Sequence, residues 1–293
     1  MSHGILFVHA HPDDECIPTG VTIARYAAEG AHVTVVTCTR GEAGEIVVDD
    51  LRHLDADGLG DHRETEMAEA AKALGLSDHR WLGGAGRWRD SGMIGTPEND
   101  DPRCFWRADM AEATRALVDV IREVRPAVVV TYDANGDYGH PDHIQAHRVT
   151  MAAVDAAADA AYGDGEPHEV AKVYCTAFPK SVLRAGFEHF KATGDGFFAA
   201  YESADDMPFG VPDEQVTTRV RAPEHLERKF AAMRAHRSQI APDAVFFSLP
   251  KEMAAEGMGA EHFTLLRGEA GPDRDADGWE TDLFSGLAFD HAE

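Results

Sequence analysis

The sequence predicts an α/β protein built on a Rossmann-like, doubly wound and mostly parallel sheet with a C-terminal extension. Three observations lead to this class. Short strand-like runs alternate with amphipathic segments along the first half of the chain, which is the repeated βα pattern of a parallel sheet. The first and fourth runs are continuous and branched, as in strands buried on both faces. Both lead into dense polar turns, where such sheets bind their ligands.

The individual elements follow from the spacing of apolar residues. Strands are predicted over residues 5–8, 33–38, 80–82, 127–131, 170–176 and 215–220. Helices are predicted over residues 12–28, 61–74 and 110–124, from 141 onward, and over 223–236. We expect residues 1–165 to form the catalytic core and residues 166–293 an extension that completes the substrate pocket, the two packing as one compact unit.

The composition argues against nucleic acids and anionic membranes as partners. Of the 293 residues, 44% are hydrophobic, and 52 acidic against 27 basic side chains give a net charge of −25. That charge repels nucleic-acid phosphates and anionic membranes, so neither is expected as a partner. With no apolar run of membrane-spanning length and no signal peptide, the expected location is cytoplasmic. Four scattered cysteines argue against a disulfide framework and a thiolate zinc site. The oligomeric state stays open.

Two polar clusters carry the chemistry. They are His11, Asp13 and Asp14 after the first predicted strand, and His140, Asp142 and His143 after the fourth. In a doubly wound sheet the strand order reverses beside the first strand, so the first and fourth strands become neighbours. The two clusters should therefore meet in one crevice at the carboxyl ends of these strands. Mixed imidazole and carboxylate donors in one crevice indicate a metal site.

His11, Asp14 and His143 are the predicted metal ligands. Two imidazole nitrogens and one carboxylate oxygen leave a coordination position open, which is the arrangement of a catalytic zinc site. One Zn²⁺ per chain is expected, and Fe²⁺, Ni²⁺ or Co²⁺ suit the same donors. His147, one turn beyond His143, is an alternative ligand that sits deeper in its helix. His9 is assigned to the core because alternation along the strand points it away from His11.

The other polar side chains of the two clusters suit acid–base and oxyanion chemistry. Asp13 is predicted to stay off the metal and to act as the general base toward water. A protonated His140 could stabilise an oxyanion, with Asp142 holding its orientation. Tyr138 is either an ordinary turn tyrosine or a further oxyanion donor, since a glycine-flanked loop places it over the site.

Charged side chains on neighbouring loops are candidates for substrate binding. Arg63 lies in the first turn of the predicted 61–74 helix, where the dipole disfavours a cation, so a ligand or a carboxylate partner is expected. Asp90 lies in a glycine-rich loop that lacks the dinucleotide fingerprint. A donor and an acceptor so placed suit vicinal hydroxyls. Glu42 or Glu45, on the loop after the second strand, could also reach a substrate.

Three motifs resemble the LmbE-like, or PIG-L, family of zinc N-deacetylases. They are His-Pro-Asp-Asp-Glu at 11–15, Tyr-Gly-His-Pro-Asp-His at 138–143 and Ala-His-Arg-Ser-Gln at 235–239. Residues 35–39 and 83–93 further resemble the branch of that family that hydrolyses N-acetylglucosaminyl-inositol in mycothiol biosynthesis. The resemblance is close over residues 5–154 and thins out afterwards. It implies zinc-dependent hydrolysis of the acetamide of a small amino-sugar substrate, with release of acetate.

The resemblance also implies roles for single residues. His11, Asp14 and His143 match the zinc ligands of the family. Asp13, His140 and Tyr138 match its catalytic groups. The residues that match its substrate contacts are Arg63, Asp90, Glu45 and Met93. Three alternatives stay open: an amidase that cleaves mycothiol S-conjugates, a deacetylase of another 2-acetamido-sugar metabolite, and a metal- or sugar-binding protein without catalysis. The last would be expected to lack Asp13 or His140, and both are present.

Overall fold

Seven strands form one mixed sheet in the computed structural model, which describes residues 4–192 and 201–288. The strands are β1 (Gly4–His9), β2 (His32–Thr37), β3 (Asp78–Trp81), β4 (Val128–Thr131), β5 (Lys172–Ala177), β6 (Thr218–Arg221) and β7 (Ala260–Arg267). Their order across the sheet is β3-β2-β1-β4-β5-β7-β6. The first five run parallel, and β7 pairs antiparallel with β5 and β6. The predicted fold class is confirmed.

Helices cover both faces of this sheet. They are α1 (Gly20–Ala28), α2 (Ala56–Leu74), α3 (Met110–Val124), the single turn α4 (Gly136–Gly139), α5 (Pro141–Ala158), α6 (Lys180–Ala192), α7 (Leu226–Ala235) and α8 (Lys251–Gly257). Alternation along β1 explains the two layers. Ile5 and Phe7 pack in the core shared with α1, α2 and α7, whereas Leu6 and Val8 pack in the core shared with α3 and α5. No helix within the described ranges is long and apolar enough to span a bilayer.

The strand order reverses between β1 and β4. β1 pairs with β2 on one side and with β4 on the other, where Ile5 lies opposite Val128 and Phe7 opposite Val130. The two parallel strands therefore end at the same edge of the sheet. The polar segments that follow them leave the sheet side by side, as the sequence predicted.

Two helices in the first half of the chain begin elsewhere than predicted. α1 starts at Gly20, and residues 12–19 form turns rather than helix. Asp13 has a φ of 107°, which is incompatible with a right-handed helix. α2 starts at Ala56 instead of residue 61, because the Asp55 side chain caps it by accepting the Gly58 N–H at 2.8 Å. Arg63 therefore lies well inside α2, and its assignment to a first turn was wrong.

The C-terminal half contains elements that apolar periodicity did not predict, namely α6, α8 and β7. β7 enters the sheet by antiparallel pairing between β5 and β6, so no crossover helix marks it in the sequence. β6 covers Thr218–Arg221 rather than 215–220, since Asp213–Gln215 forms a 3₁₀ turn. A second 3₁₀ turn, Pro223–His225, delays the start of α7 to Leu226.

A buried ion pair ties the acidic C-terminal segment to the sheet. Lys172 Nζ on β5 lies 2.6 Å from Glu280 Oε1, and both side chains are almost completely buried. The hydroxyls of Tyr174 and Thr218 each donate to Glu280 Oε2 at 2.9 Å. Because every charged atom of the pair has partners, the pair is compatible with the interior of the protein.

We expect Glu280→Gln to lower the free energy of unfolding by about 3 kcal/mol, because it leaves the Lys172 ammonium buried and uncompensated. Urea denaturation followed by circular dichroism measures the loss. The double variant Lys172→Met/Glu280→Leu should recover much of it. Asp119→Asn breaks only the exposed pair with Arg115 and should leave the denaturation midpoint unchanged. A Glu280→Gln protein as stable as the unaltered chain would contradict this role.

Candidate metal centre and active site

Three imidazoles meet where the segments after β1 and β4 leave the sheet. The ring centroids of His11 and His140 are 4.6 Å apart, those of His11 and His143 5.3 Å, and those of His140 and His143 5.2 Å. All three side chains are buried, and each offers a ring nitrogen within 4.8 Å of the others. His143 reaches the crevice because Pro141 starts α5, which places His143 in its first turn.

Asp14 lies beside two of these imidazoles. Its Oδ2 atom is 3.3 Å from His11 Nδ1 and 3.5 Å from His143 Nε2. The same oxygen accepts hydrogen bonds from the Tyr132 hydroxyl at 2.6 Å and from the backbone N–H of His11 at 2.8 Å. Although burial opposes ionisation, the hydrogen bond and the charge of the neighbouring His11 hold the pKa of Asp14 well below its usual range. Asp14 is therefore a carboxylate, the form that binds cations.

The two ring nitrogens of His143 are buried polar atoms. Its ring stacks on Tyr132, with centroids 4.0 Å apart, and neither ring nitrogen has a hydrogen-bond partner among the described residues. Buried polar atoms in folded proteins are nearly always hydrogen-bonded. Burial lowers the pKa of His143 to about 3, so the ring is neutral at pH 7 and keeps a lone pair. A neutral, unpaired imidazole beside a carboxylate suits a divalent cation.

Three carboxylates surround His11. Oxygens of Asp14, Asp142 and Asp90 lie 3.3, 3.3 and 3.6 Å from its ring nitrogens. Burial opposes a charged imidazole, yet these carboxylates raise the pKa of His11 well above its usual value. Negative charge is thus concentrated around one point in a buried crevice, and a proton or a metal ion is needed to balance it. The donor set fits a divalent cation.

The structure brings the expected ligands together and sets two other histidines apart. The crevice holds His11, Asp14 and His143, with His140 also within reach. His147 instead has Nδ1 2.8 Å from the backbone carbonyl of Tyr132. His9 is fully buried, and its Nε2 is hydrogen-bonded to the Thr19 hydroxyl at 3.0 Å. Both of these histidines therefore have structural partners.

Asp13 adjoins this cluster, but its carboxylate contacts Arg63. Asp13 Oδ2 lies 3.2 Å from Arg63 Nη2. Burial raises the pKa of Asp13 to about 6, and the Arg63 cation opposes the rise. A carboxyl group with a pKa close to neutrality can both accept and release a proton at physiological pH. Asp13 is thus chemically suited to proton transfer.

Asp142 contacts His140, but through different atoms from those expected. Its backbone N–H donates to His140 Nδ1 at 3.1 Å, so the His140 imidazole caps α5. Its carboxylate lies 3.3 Å from His11 Nε2 and accepts hydrogen bonds from the Ser91 backbone N–H and hydroxyl. Because Nδ1 of His140 is an acceptor, the proton of the neutral ring is on Nε2. Burial and His11 lower the pKa of His140 to about 4, so the ring is neutral at pH 7 rather than protonated as the sequence suggested.

Tyr138 stands at the rim of the same crevice. Its ring centroid is 5.0 Å from that of His143 and 6.1 Å from that of His140, and the residue is 39% exposed. Burial of its hydroxyl raises the pKa of Tyr138 above the usual value, so the hydroxyl remains a hydrogen-bond donor. Asp137 before it has φ 59° and ψ −74°, a sparsely populated backbone conformation that bends α4.

The four side chains expected to contact substrate fall into two groups. Arg63 is buried and donates to the Pro12 carbonyl and to the Gly41 carbonyl, the latter at 2.9 Å, besides contacting Asp13. Asp90 is buried and accepts backbone N–H groups of Ala43 and Gly92. Glu45 and Met93, in contrast, are exposed on the neighbouring loops. Arg63 and Asp90 thus form part of the crevice, and the other two lie outside its buried part.

Sequence reasoning missed several side chains that hold the site. The Tyr132 hydroxyl accepts the Ala10 N–H at 2.8 Å and donates to Asp14, which links the ends of β4 and β1. Ser91 holds Asp142 through two hydrogen bonds. Tyr132 could have been predicted as a site residue from its position, because it directly follows β4. Ser91 lies in a loop and carries no comparable signal.

A doubly wound sheet with imidazoles and carboxylates gathered at its switch point defines a class of protein: an α/β enzyme with a candidate divalent-metal site. Residues 6–154 match the family model described as PIG-L: GlcNAc-PI de-N-acetylase. The match covers both the His-Pro-Asp-Asp-Glu and the Tyr-Gly-His-Pro-Asp-His motifs.

Curated relatives extend the similarity along nearly the whole chain. Over 97% of its length the chain is 57% identical to 1D-myo-inositol 2-acetamido-2-deoxy-alpha-D-glucopyranoside deacetylase of Thermomonospora curvata, of which the match covers 96%. A protein of the same name from Geodermatophilus obscurus is 56% identical over 98% of both chains. The chain therefore belongs to the PIG-L family of deacetylases, and the resemblance inferred from its motifs is confirmed.

The fold also has a solved counterpart. The structure of N,N'-diacetylchitobiose deacetylase from Pyrococcus horikoshii, complexed with its inhibitor MPG, superposes with a TM-score of 0.61. It covers 90% of this chain and 84% of its own, at 19% sequence identity. At that identity the likeness concerns the fold alone.

His11→Ala and His143→Ala should each remove most of the divalent metal from a protein that otherwise carries about one ion per chain, because each deletes a direct donor. Elemental analysis by mass spectrometry, with circular dichroism to verify folding, measures this. His147→Gln is the matched control on the same helix and should keep its metal. Full metal content in both alanine variants, or its loss in His147→Gln, would refute the ligand set.

Proposed function

We propose that this chain is a zinc-dependent N-deacetylase that hydrolyses the acetamide of N-acetylglucosaminyl-inositol and releases acetate, a step in mycothiol biosynthesis. One observation carries the proposal: the Asp13 carboxyl group, which lies 3.2 Å from Arg63 Nη2, adjoins a buried cluster of imidazoles and carboxylates. The substrate follows from the names of relatives that are 56–57% identical along almost the whole chain. The cytoplasmic location stays a prediction.

The proposed metal ligands are His11, Asp14 and His143. Their two nitrogens and one oxygen favour Zn²⁺, and Fe²⁺ or another divalent ion fits the same donors. Such an ion, when bound, polarises a carbonyl oxygen and lowers the pKa of water. The protein contributes fixed donors, because the Tyr132 hydroxyl and the His11 N–H both hold Asp14 Oδ2 in place. These two hydrogen bonds orient the Asp14 carboxylate for metal binding.

Asp13 is the proposed general base. It accepts a proton as the oxygen of water bonds to the acetamide carbon, and it donates that proton to the nitrogen as the carbon–nitrogen bond breaks. The products are acetate and the free amine of glucosaminyl-inositol. A pKa of about 6 suits both transfers, since neither direction faces a large energetic mismatch near neutral pH.

His140 and Tyr138 are the proposed donors to the oxyanion that forms on the carbonyl oxygen. His140 can donate from Nε2 as a neutral ring, since the Asp142 N–H fixes the proton on that nitrogen. Tyr138 keeps its hydroxyl proton and stands at the open rim. In this scheme the Asp142 carboxylate holds His11, and the Asp142 backbone N–H donates to the His140 side chain that caps α5. Preorganised donors of this kind usually supply a large share of the stabilisation of the transition state.

Substrate selection is assigned to Arg63, Asp90, Glu45 and Met93. Asp90 presents a buried carboxylate at the crevice, which suits a sugar hydroxyl. Arg63 contacts the Asp13 carboxylate, so the same side chain acts on the substrate and on the general base. Glu45 and Met93 are exposed on the loops that also carry Glu42 and Asp90.

Asp13→Asn should keep the metal and the fold but lower kcat roughly 10²–10⁴-fold, because general-base assistance is lost. Acetate release by metal-loaded protein measures kcat, and elemental analysis verifies the metal. Turnover close to that of the unaltered enzyme would show that another residue is the base.

The intact enzyme should hydrolyse N-acetylglucosaminyl-inositol with a higher kcat/KM than free N-acetylglucosamine. Asp90→Asn should reduce that preference, because an unpaired hydroxyl in a buried site costs about 1–3 kcal/mol. Asp100→Asn, on the exposed part of the same loop, is the control and should retain it. A higher kcat/KM for free N-acetylglucosamine or for a mycothiol S-conjugate would exclude the proposed substrate while leaving the chemistry in place.

A further inference from the structure

The Ala-His-Arg-Ser-Gln segment at 235–239 takes no part in the mechanism above, yet two of its side chains, His236 and Ser238, are buried next to residues of the active-site turn and of α2. His236, directly after α7, is completely buried, and its Nε2 lies 2.7 Å from Glu15 Oε1. A carboxylate only accepts hydrogen bonds, so the histidine donates. Ser238 anchors the same segment to α2, donating its N–H and hydroxyl to Glu66 at 2.8 and 2.7 Å.

Glu15 links His236 to Asp13. Its second oxygen, Oε2, accepts the backbone N–H of Asp13 at 2.9 Å. Glu15 is itself completely buried, so its two hydrogen bonds are not exchanged for contacts with solvent. A continuous connection thus runs from His236 through Glu15 to the backbone of Asp13.

Asp13 has a backbone conformation that requires such support. Its φ of 107° lies in a region that residues other than glycine rarely occupy, and holding it there costs on the order of 1–3 kcal/mol. Such conformations persist only where several contacts fix them. Here Glu15 holds the N–H of Asp13, and the Cys16 N–H and thiol both donate to its carbonyl at 3.0 Å. The Arg63 guanidinium holds the carboxylate from the other side.

Glu15, Cys16 and His236 could themselves be read as a second metal site, since one donor atom of each lies within 4.8 Å of the others. Their hydrogen bonds speak against that. Both oxygens of Glu15 accept N–H groups, and the Cys16 thiol donates to the Asp13 carbonyl. The donor atoms are thus engaged in holding the chain around Asp13.

We propose that Glu15 and His236 are positioning residues, which fix the backbone of Asp13 so that its carboxylate is aimed at the reacting water. The inference rests on the proposed function, in which Asp13 is the base. It gives the Ala-His-Arg-Ser-Gln segment a physical role. This segment of the C-terminal half then supports the turn around Asp13 in the N-terminal half. A base displaced by about 1 Å can lose roughly 10²-fold in rate, so the contact matters although neither residue touches substrate.

The test compares three variants of the full-length, metal-loaded protein. His236→Leu removes the donor, and His236→Gln retains a side-chain N–H that can reach Glu15. Lys229→Met is the matched control: it breaks another buried pair, with Glu261 at 2.8 Å, on the helix that leads to His236, and neither partner is hydrogen-bonded to Glu15 or Asp13 in the described part of the chain. Each variant is assayed for kcat, KM, metal content, melting temperature, and hydrogen exchange of the peptide that contains Asp13.

His236→Leu should keep its metal and its KM, lose roughly 10²-fold in kcat, and exchange the Asp13 amide faster. His236→Gln should recover most of the loss, and Lys229→Met should lower the melting temperature without changing kcat or the exchange of that amide. Unchanged kcat and exchange in His236→Leu, or equal losses in Lys229→Met, would overturn the inference. If the unaltered protein releases no acetate, the proposed function fails, and the exchange comparison still decides whether His236 holds Asp13.

Discussion

The structure depends on the burial of negative charge around His11. Three carboxylates approach one imidazole inside a crevice that excludes most solvent, and each is held by further hydrogen bonds from the backbone or from hydroxyl groups. Carboxylates in a medium of low polarity are stable only when a cation balances them. This concentration of negative charge, which would destabilise an ordinary core, suits a divalent cation. Folding and function thus share one electrostatic requirement.

The sheet topology makes this arrangement possible. Reversal of strand order between β1 and β4 brings together side chains that are about 130 residues apart in the chain, such as His11 and Asp142. Because close-packed side chains cover both faces of the two strands, the positions of their carboxyl ends are well fixed. Loops that leave such ends can carry strained turns, and the φ of Asp13 and of Asp137 shows that they do.

The sequence predicted the parts of this protein that local pattern encodes. Buried parallel strands, their order around β1 and the meeting of two His/Asp motifs all follow from periodicity and a general rule of sheet topology. β7 escaped prediction because antiparallel pairing leaves no crossover helix behind it. The start of α2 escaped because Asp55, an ordinary cap, lies in a polar stretch with several candidates. Contacts such as His236 with Glu15 join residues that no periodicity relates, so only the folded chain reveals them.

We propose that His11, Asp14 and His143 bind a divalent cation while the neighbouring Asp13 stays free for proton transfer. Anomalous diffraction at the zinc edge, from crystals of the zinc-loaded protein, tests it most directly. We expect one strong anomalous peak, about 2.0–2.2 Å from a ring nitrogen of each histidine and from an Asp14 oxygen, with the Asp13 carboxylate outside the coordination shell. A peak coordinated by Asp13, or one located between Glu15, Cys16 and His236, would contradict the claim.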